Sequence, residues 1–300
     1  MIKNFDELIN EVKKIGKKRL SIAIPYEIED LKALKFAKDE GIIEPILIGK
    51  KDEIKKFYEK AEISLDAEII EESDYYKAIE LSVSMVRGGK ADLLMKGLVK
   101  TPELLHAVLD KDKGIRKEKV LSHVGVLQCS RYPKLITMSD GGMIIAPTLD
   151  QKVEILKNAV FVAKALGVEI PKVALLSAIE IVNPDMPSSL DAALITMMAK
   201  RGQIKGAIVD GPLAFDNAIS KWAAEVKGIK SDVAGDADVF IVPNIEAGNI
   251  FFKILNYLSD GYSAGVVIGA TAPVILPSRS DSKESKYYSI ALGCLISNYK

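Results

Sequence analysis

The chain has 300 residues and is poor in those that build metal centres or covalent frameworks. Its two cysteines, Cys129 and Cys294, lie far apart. That argues against a disulfide scaffold, and no Cys/His spacing suggests zinc. With only His106 and His123, a multi-histidine metal site is not expected. Net charge is also lacking, since 41 Lys and Arg balance 41 Asp and Glu. Such a chain offers no global field for nucleic acid or an anionic membrane, so local charges must hold any anionic ligand. The most apolar stretch, Ala264 to Leu276, is interrupted by Pro273 and two glycines and is too short to span a bilayer. The amphipathic N-terminus lacks the apolar core of a signal peptide. No Asn-x-Ser/Thr acceptor occurs. A cytoplasmic protein is expected, with neither nucleic acid nor membrane as partner.

Generic ligand motifs are missing too. No two glycines stand two positions apart, so there is no G-x-G-x-x-G fingerprint, and Walker A and G-x-S-x-G motifs are absent. This argues against a conventional dinucleotide-binding enzyme, a P-loop ATPase and an α/β-hydrolase. Gly261, Gly265 and Gly269 are spaced four apart, but the intervening Val266, Val267 and Ile268 favour a strand, with turn and close-packing roles for the glycines.

What is present is ordinary globular composition, 48% hydrophobic and 27% charged, in a chain long enough for roughly two domains. Phe5, Leu8, Ile9, Val12 and Ile15 keep helical spacing. Short β-branched runs then alternate with helical patterns. Strands are expected near 20–24, 43–48, 67–70, 91–95, 120–127, 135–138, 173–176, 207–209 and 239–242. Helices are expected near 28–40, 52–60, 75–87 and 150–166, from Thr101, Ser188, Leu213 and Glu246, and from Asp281 to about Ser297. Thr101-Pro102 reads as an N-cap followed by proline in the first turn. The alternation predicts an α/β fold with helices covering a largely parallel sheet.

Two segments are chemically unusual. Gly97-Leu98-Val99-Lys100-Thr101 follows a strand and opens a helix, where backbone N–H groups with Lys96 or Lys100 could cradle an anion. A plain loop with solvated lysines is the competing reading. Pro277-Ser278-Arg279-Ser280-Asp281-Ser282 puts Ser, Arg and Asp together at another helix start, a setting suited to a phosphate or an oxyanion. The alternative is a capping loop, with Asp281 or Ser282 as N-cap.

In this order and context, the segments resemble the phosphate acetyl/butyryltransferase family. Six blocks carry the resemblance: ADLLMKGLVKT from Ala91, DGGMIIAPTL from Asp140, PKVALLS from Pro171, VDGPLAFD from Val209, ADVFIVPNIEAGNI from Ala237 and PVILPSRSDSKESKYYSI from Pro273. The stretch Ala178 to Pro187 with Leu190-Asp191-Ala192, and the SRSDS form of the last block, resemble the butyryl branch. The resemblance implies two α/β/α domains with a cleft between them, related to the isocitrate/isopropylmalate dehydrogenase fold. It implies a discontinuous first domain of residues 1–130 plus 276–300. The second domain, 131–275, would build the interface of a homodimer or higher homo-oligomer.

The implied activity moves an acyl group between coenzyme A and orthophosphate. Acyl-CoA and orthophosphate are then the partners, with no tightly bound cofactor or metal, and coenzyme A is itself a substrate. Because a free thiol is mostly protonated at neutral pH, a base near sulfur helps it attack an acyl phosphate. The carbonyl oxygen needs a donor and the phosphate a cationic clamp. Matched position by position, Ser278 is the serine near the reacting carbonyl and Arg279 the phosphate-binding arginine. Lys100 and Thr101 are further phosphate-binding candidates. The acetyl branch carries an aspartate seven positions after the serine, where this chain has Ser285. Asp281 and Glu284 are the carboxylates able to replace it, on the expectation that 281, 284 and 285 share one helix face. His106 stands where the acetyl branch has an arginine and is read as structural. No residue is assigned to coenzyme A. Open alternatives are a phosphate acetyltransferase with relaxed acyl specificity, a non-catalytic acyl-CoA-binding member of the fold, and a metal-dependent dehydrogenase on the related fold.

Overall fold

The computed structural model describes residues 1–299. They form a terminal unit, 5–119 with 264 onward, and a middle unit, 1–4 with 120–263. The first amphipathic stretch is α1 (Phe5–Ile15), which buries Phe5, Leu8, Ile9 and Val12 as one stripe. It is followed by β1 (Lys18–Ala23), α2 (Ile28–Asp39), β2 (Ile43–Gly49), α3 (Lys51–Ala61), β3 (Glu68–Glu71), α4 (Tyr75–Arg87), β4 (Leu93–Lys96) and α5 (Thr101–Leu109). The middle unit comprises β5 (Ser122–Gln128), β6 (Ile136–Ser139), α6 (Leu149–Ala165), β7 (Lys172–Leu176), α7 (Pro187–Lys200), β8 (Ile208–Leu213), α8 (Phe215–Ile219), α9 (Lys221–Val226), β9 (Val239–Ile241) and α10 (Ile245–Leu258). The chain returns through β10 (Tyr262–Ile268), β11 (Val274–Ile275) and α11 (Lys283–Asn298).

In the terminal unit the strand order is β3-β2-β1-β4-β11-β10. All neighbours there are parallel except β10, which is antiparallel to β11. In the middle unit the order is β5-β6-β9-β7-β8. Only β5, paired with β6, runs antiparallel. Parallel strands are covered on both faces, which explains their continuous apolar runs, such as buried Ile46, Leu47 and Ile48 in β2.

The units part at Lys119/Val120 and Ser263/Ala264, earlier in the chain than the crossings expected near Arg131 and Leu276. β5 is a sheet partner of β6 in the middle unit. The segment from Ala264 carries β11 into the terminal sheet beside β4. Local pattern does not reveal which sheet a strand joins.

Several element starts also differ from expectation. Leu213 ends a strand instead of starting a helix, its carbonyl accepting from Ser177 N–H at 2.9 Å. The helical segment beyond it is split at Ser220, whose side chain caps α9. Lys100, not Thr101, occupies the N-cap position of α5, without a side-chain cap. Ser282 caps α11, its hydroxyl accepting from Ser285 N–H at 3.1 Å. Gly261 has the close-packing role, since a Cβ there would meet the Gln128 carbonyl oxygen at 2.3 Å.

Candidate active site

Parallel pairing brings three loops of the terminal unit to one edge. Ala23 pairs with Lys96 and Met95 with Ile275, so β1, β4 and β11 end side by side. The segments that leave them are 24–27, 97–100 and 276–282. The carboxyl edge of a parallel sheet is where open α/β folds bind ligands. The backbone there is tightly drawn. A Cβ on Gly97 would lie 2.4 Å from the carbonyl oxygens of Ala23 and Ile24. Ile24 itself holds a φ of 54°, a left-handed conformation that β-branched residues rarely adopt.

The loop after β11 is closed on itself. Ser278 N–H donates to Asp281 Oδ2 at 2.8 Å, and Asp281 N–H donates to the Ser278 carbonyl at 3.1 Å. The hydroxyls of Ser278 and Ser280 are 3.0 Å apart. Ser278 and Arg279 are exposed. Arg279 Nε lies 3.5 Å from Glu27 Oε1 on the loop before α2. Three candidates, Ser278, Arg279 and Asp281, are therefore brought together. Asp281 precedes the cap and lies outside the helix, which corrects the expectation that it shares a helix face with Glu284 and Ser285. Glu284 is in the first turn of α11, 3.5 Å from Lys283. Its own backbone N–H and this lysine hold its carboxyl below the usual range, against a smaller rise from burial.

The segment after β4 has less anion-binding capacity than its sequence suggested. Leu98 N–H donates to Ile24 O and Val99 N–H to Gly97 O, both at 2.8 Å, and Lys100 N–H donates to Tyr75 Oη at 3.0 Å. Three successive donors are thus spent within the fold. The Lys100 side chain is exposed, 3.6 Å from Glu103. Thr101 is half-buried at the first helical position. His106 lines a groove between α4 and α5 with Arg87 and Asp110.

Sequence reasoning missed a buried charged cluster behind the Ser278 loop. Lys286, 1% exposed, pairs with Asp30 Oδ1 at 2.5 Å and with Glu27 Oε2 at 3.4 Å. Asp30 is fully buried and its Oδ2 has no hydrogen-bond partner. Burial pushes the Asp30 carboxyl up to about 6, against the pull of Lys286. One signal was available: Lys286 falls on the stripe with Ser289, Ile290 and Gly293 that α11 buries. A lysine on such a stripe requires a buried counter-charge.

In the middle unit, Asp140 follows β6 and is buried. Its Oδ1 accepts from Gly142 and Met143 N–H at 2.8 and 3.0 Å, and its Oδ2 from His123 N–H at 3.2 Å. Asn249 Nδ2 donates to Gly141 O at 3.2 Å. These contacts hold the DGGM block as a folded loop. Asp216 lies 3.1 Å from Lys227, whose hydrogen bond keeps its carboxyl below the ordinary value. Cys294 is a core residue, its thiol pushed up by burial. No group of three or more His, Cys, Asp or Glu able to hold a metal ion occurs among the described residues.

A family model described as phosphate acetyl/butaryl transferase matches residues 71–294. The chain belongs to this family. Relatives in the family span its whole length. The phosphate butyryltransferase of Clostridium acetobutylicum is 44% identical over 301 residues, covering 100% of both chains. The phosphate acetyltransferase of Thermotoga maritima is 42% identical over 291 residues, covering 97% of this chain and 99% of its own. A branched-chain phosphotransacylase from Enterococcus faecalis superposes with a TM-score of 0.82 at 32% identity, covering 94% of this chain and all of that one. Membership in the phosphate acyltransferase family, and the α/β fold that goes with it, are therefore established for this chain.

Proposed function

We propose that the protein transfers a butyryl group between coenzyme A and orthophosphate, with butyryl phosphate as the other product. The observation that carries this reading is the Ser278-Arg279 loop. It is closed by Asp281 and sits at the carboxyl edge of a parallel sheet, in a chain 44% identical over its full length to a phosphate butyryltransferase. Both substrates would bind before chemistry, in a ternary complex. Arg279 would hold the phosphoryl oxygens through its planar fork, with Lys100 and Thr101 contributing from the neighbouring loop. Ser278 would donate to the acyl carbonyl oxygen as negative charge develops there. Asp281, tied to Ser278, would take the thiol proton as coenzyme A attacks the carbonyl carbon. Glu284 is the second candidate for that proton. The step needs no resident cofactor. The C–O bond to phosphate breaks as the thioester C–S bond forms, and phosphate leaves.

The butyryl assignment rests on the branch-specific stretches, since the relatives include both acetyl and butyryl enzymes. We also infer that the middle unit forms a homodimer through α10. Gly248 is the one buried residue in that helix's fourteen, and Ile250, Ile254 and Leu258 form an exposed apolar stripe at i, i+4, i+8. A second copy of the chain would cover it.

The deciding experiment follows thiol release from acetyl-, propionyl- and butyryl-CoA with phosphate. Phosphate-dependent release fastest with butyryl-CoA is expected. No phosphate-dependent release from any of them would overturn the reading. A preference for acetyl-CoA would move the chain to the acetyl activity.

A further inference from the structure

The charges behind the Ser278 loop do not balance. Lys96, the last residue of β4, lies within the field of Asp30, Glu27, Lys286 and Arg279. Two carboxylates therefore face three cations. Lys286 takes both carboxylates, and Arg279 reaches Glu27. Lys96 is left with little. It is 6% exposed, its one hydrogen bond is a long 3.4 Å contact to the Gly97 carbonyl, and it has no ion pair within 4.0 Å among the described residues. An ammonium carries three donors, and burying it without a counter-charge is unfavourable.

The fold gives Lys96 little freedom to retreat. Its backbone is paired to Ala23 in β1. The next residue, Gly97, is pressed against the carbonyl oxygens of Ala23 and Ile24. The backbone donors on the following loop are already used. A cation held at the ligand edge of a parallel sheet, with its donors unfilled, is arranged for an anion that arrives from outside. Burial lowers its affinity for a proton, and Asp30 and Glu27 oppose that fall.

We propose that Lys96 binds the phosphoryl oxygens of orthophosphate and of the acyl phosphate, opposite Arg279. This assignment deepens the phosphate-transfer reading of the same site and rests on it. It makes Lys96 a residue that destabilises the empty protein and is compensated when substrate binds. A residue with only a structural role would behave in the opposite way.

Lys96→Met in the full-length protein separates the two. It removes the charge and keeps an unbranched side chain of similar length. The phosphate KM should rise about ten- to a hundredfold, the range of one charge-assisted hydrogen bond. The butyryl-CoA KM should stay within about twofold of wild type, since only the phosphate contact is lost. Without ligand, the melting temperature should be unchanged or higher. Added inorganic phosphate should raise the melting temperature of wild type and not that of the variant. Lys96→Gln, which keeps a donor without the charge, should show the same phosphate defect. An unchanged phosphate KM overturns the assignment. So does a lowered melting temperature with equal losses for both substrates. Arg279→Lys is run in parallel: if it raises the phosphate KM and Lys96→Met does not, the Lys96 assignment alone fails. If neither variant affects phosphate, the phosphate site itself has been misplaced and both readings fall.

Discussion

Removing Lys286 tests the buried cluster most directly. Lys286→Met leaves Asp30 in the core without its 2.5 Å partner. Deleting one member of a buried ion pair typically costs about 3–5 kcal/mol. The pH dependence is more diagnostic than the size. In wild type the Asp30 carboxyl is raised from 3.8 to about 6. The folded state therefore binds this proton more tightly than the unfolded state. The contribution of this group to stability is full below pH 3.8, falls as pH rises towards 6, and is flat above about 7. Without Lys286, desolvation is unopposed at close range and the folded pKa moves further up. The variant then keeps losing stability through neutral pH, by up to about 1.4 kcal/mol per pH unit. The deficit relative to wild type should thus grow by about 2 kcal/mol between pH 6 and 8 on the same arithmetic. Urea denaturation followed by circular dichroism at pH 6, 7 and 8 measures it. Adding Asp30→Asn to the variant should abolish the slope. A deficit independent of pH would refute the reasoning, because lost packing alone does not titrate.

Arg279→Lys should raise the phosphate KM by about tenfold or more and leave acyl-CoA affinity nearly unchanged, because lysine lacks the planar fork. Steady-state kinetics with each substrate varied in turn would show this. Asp281→Asn should cut turnover at least about a hundredfold at neutral pH if Asp281 takes the thiol proton. The fold should persist, because asparagine can still accept from Ser278 N–H and the helix is capped by Ser282. Glu284→Gln is the matched control, and a loss there alone would move the base to Glu284. Ile254→Asp on the exposed stripe of α10 should convert a dimer to a monomer in sedimentation equilibrium, while a dimer of undiminished strength would place the interface elsewhere.

The alternation of β-branched runs with helical stripes was enough for the α/β class and for most elements. Tyr75–Arg87 and Phe5–Ile15 are helices with the expected bounds because burial periodicity is a local property of the chain. The six blocks likewise carried the family, and the Ser278-Arg279 segment could be singled out because chemistry-bearing residues adjacent in sequence stay adjacent in space. Cap positions were read less well. Ser282 and Asp281 both suit a helix start, and only the hydrogen bond to Ser285 N–H decides between them. Where the chain passes between units depended on which strands pair, a non-local choice. The cluster of Glu27, Asp30, Lys96 and Lys286 joins residues up to 259 positions apart. Nothing local marks Glu27 or Asp30 as partners of Lys286, because a salt bridge that long in sequence exists only after β1, β4 and β11 have ended side by side. Likewise, the sequence offered the N–H groups of 97–100 as an anion cradle. Bonds to Ile24, Gly97 and Tyr75 spent those of Leu98, Val99 and Lys100 and left Lys96 as a poorly paired buried cation.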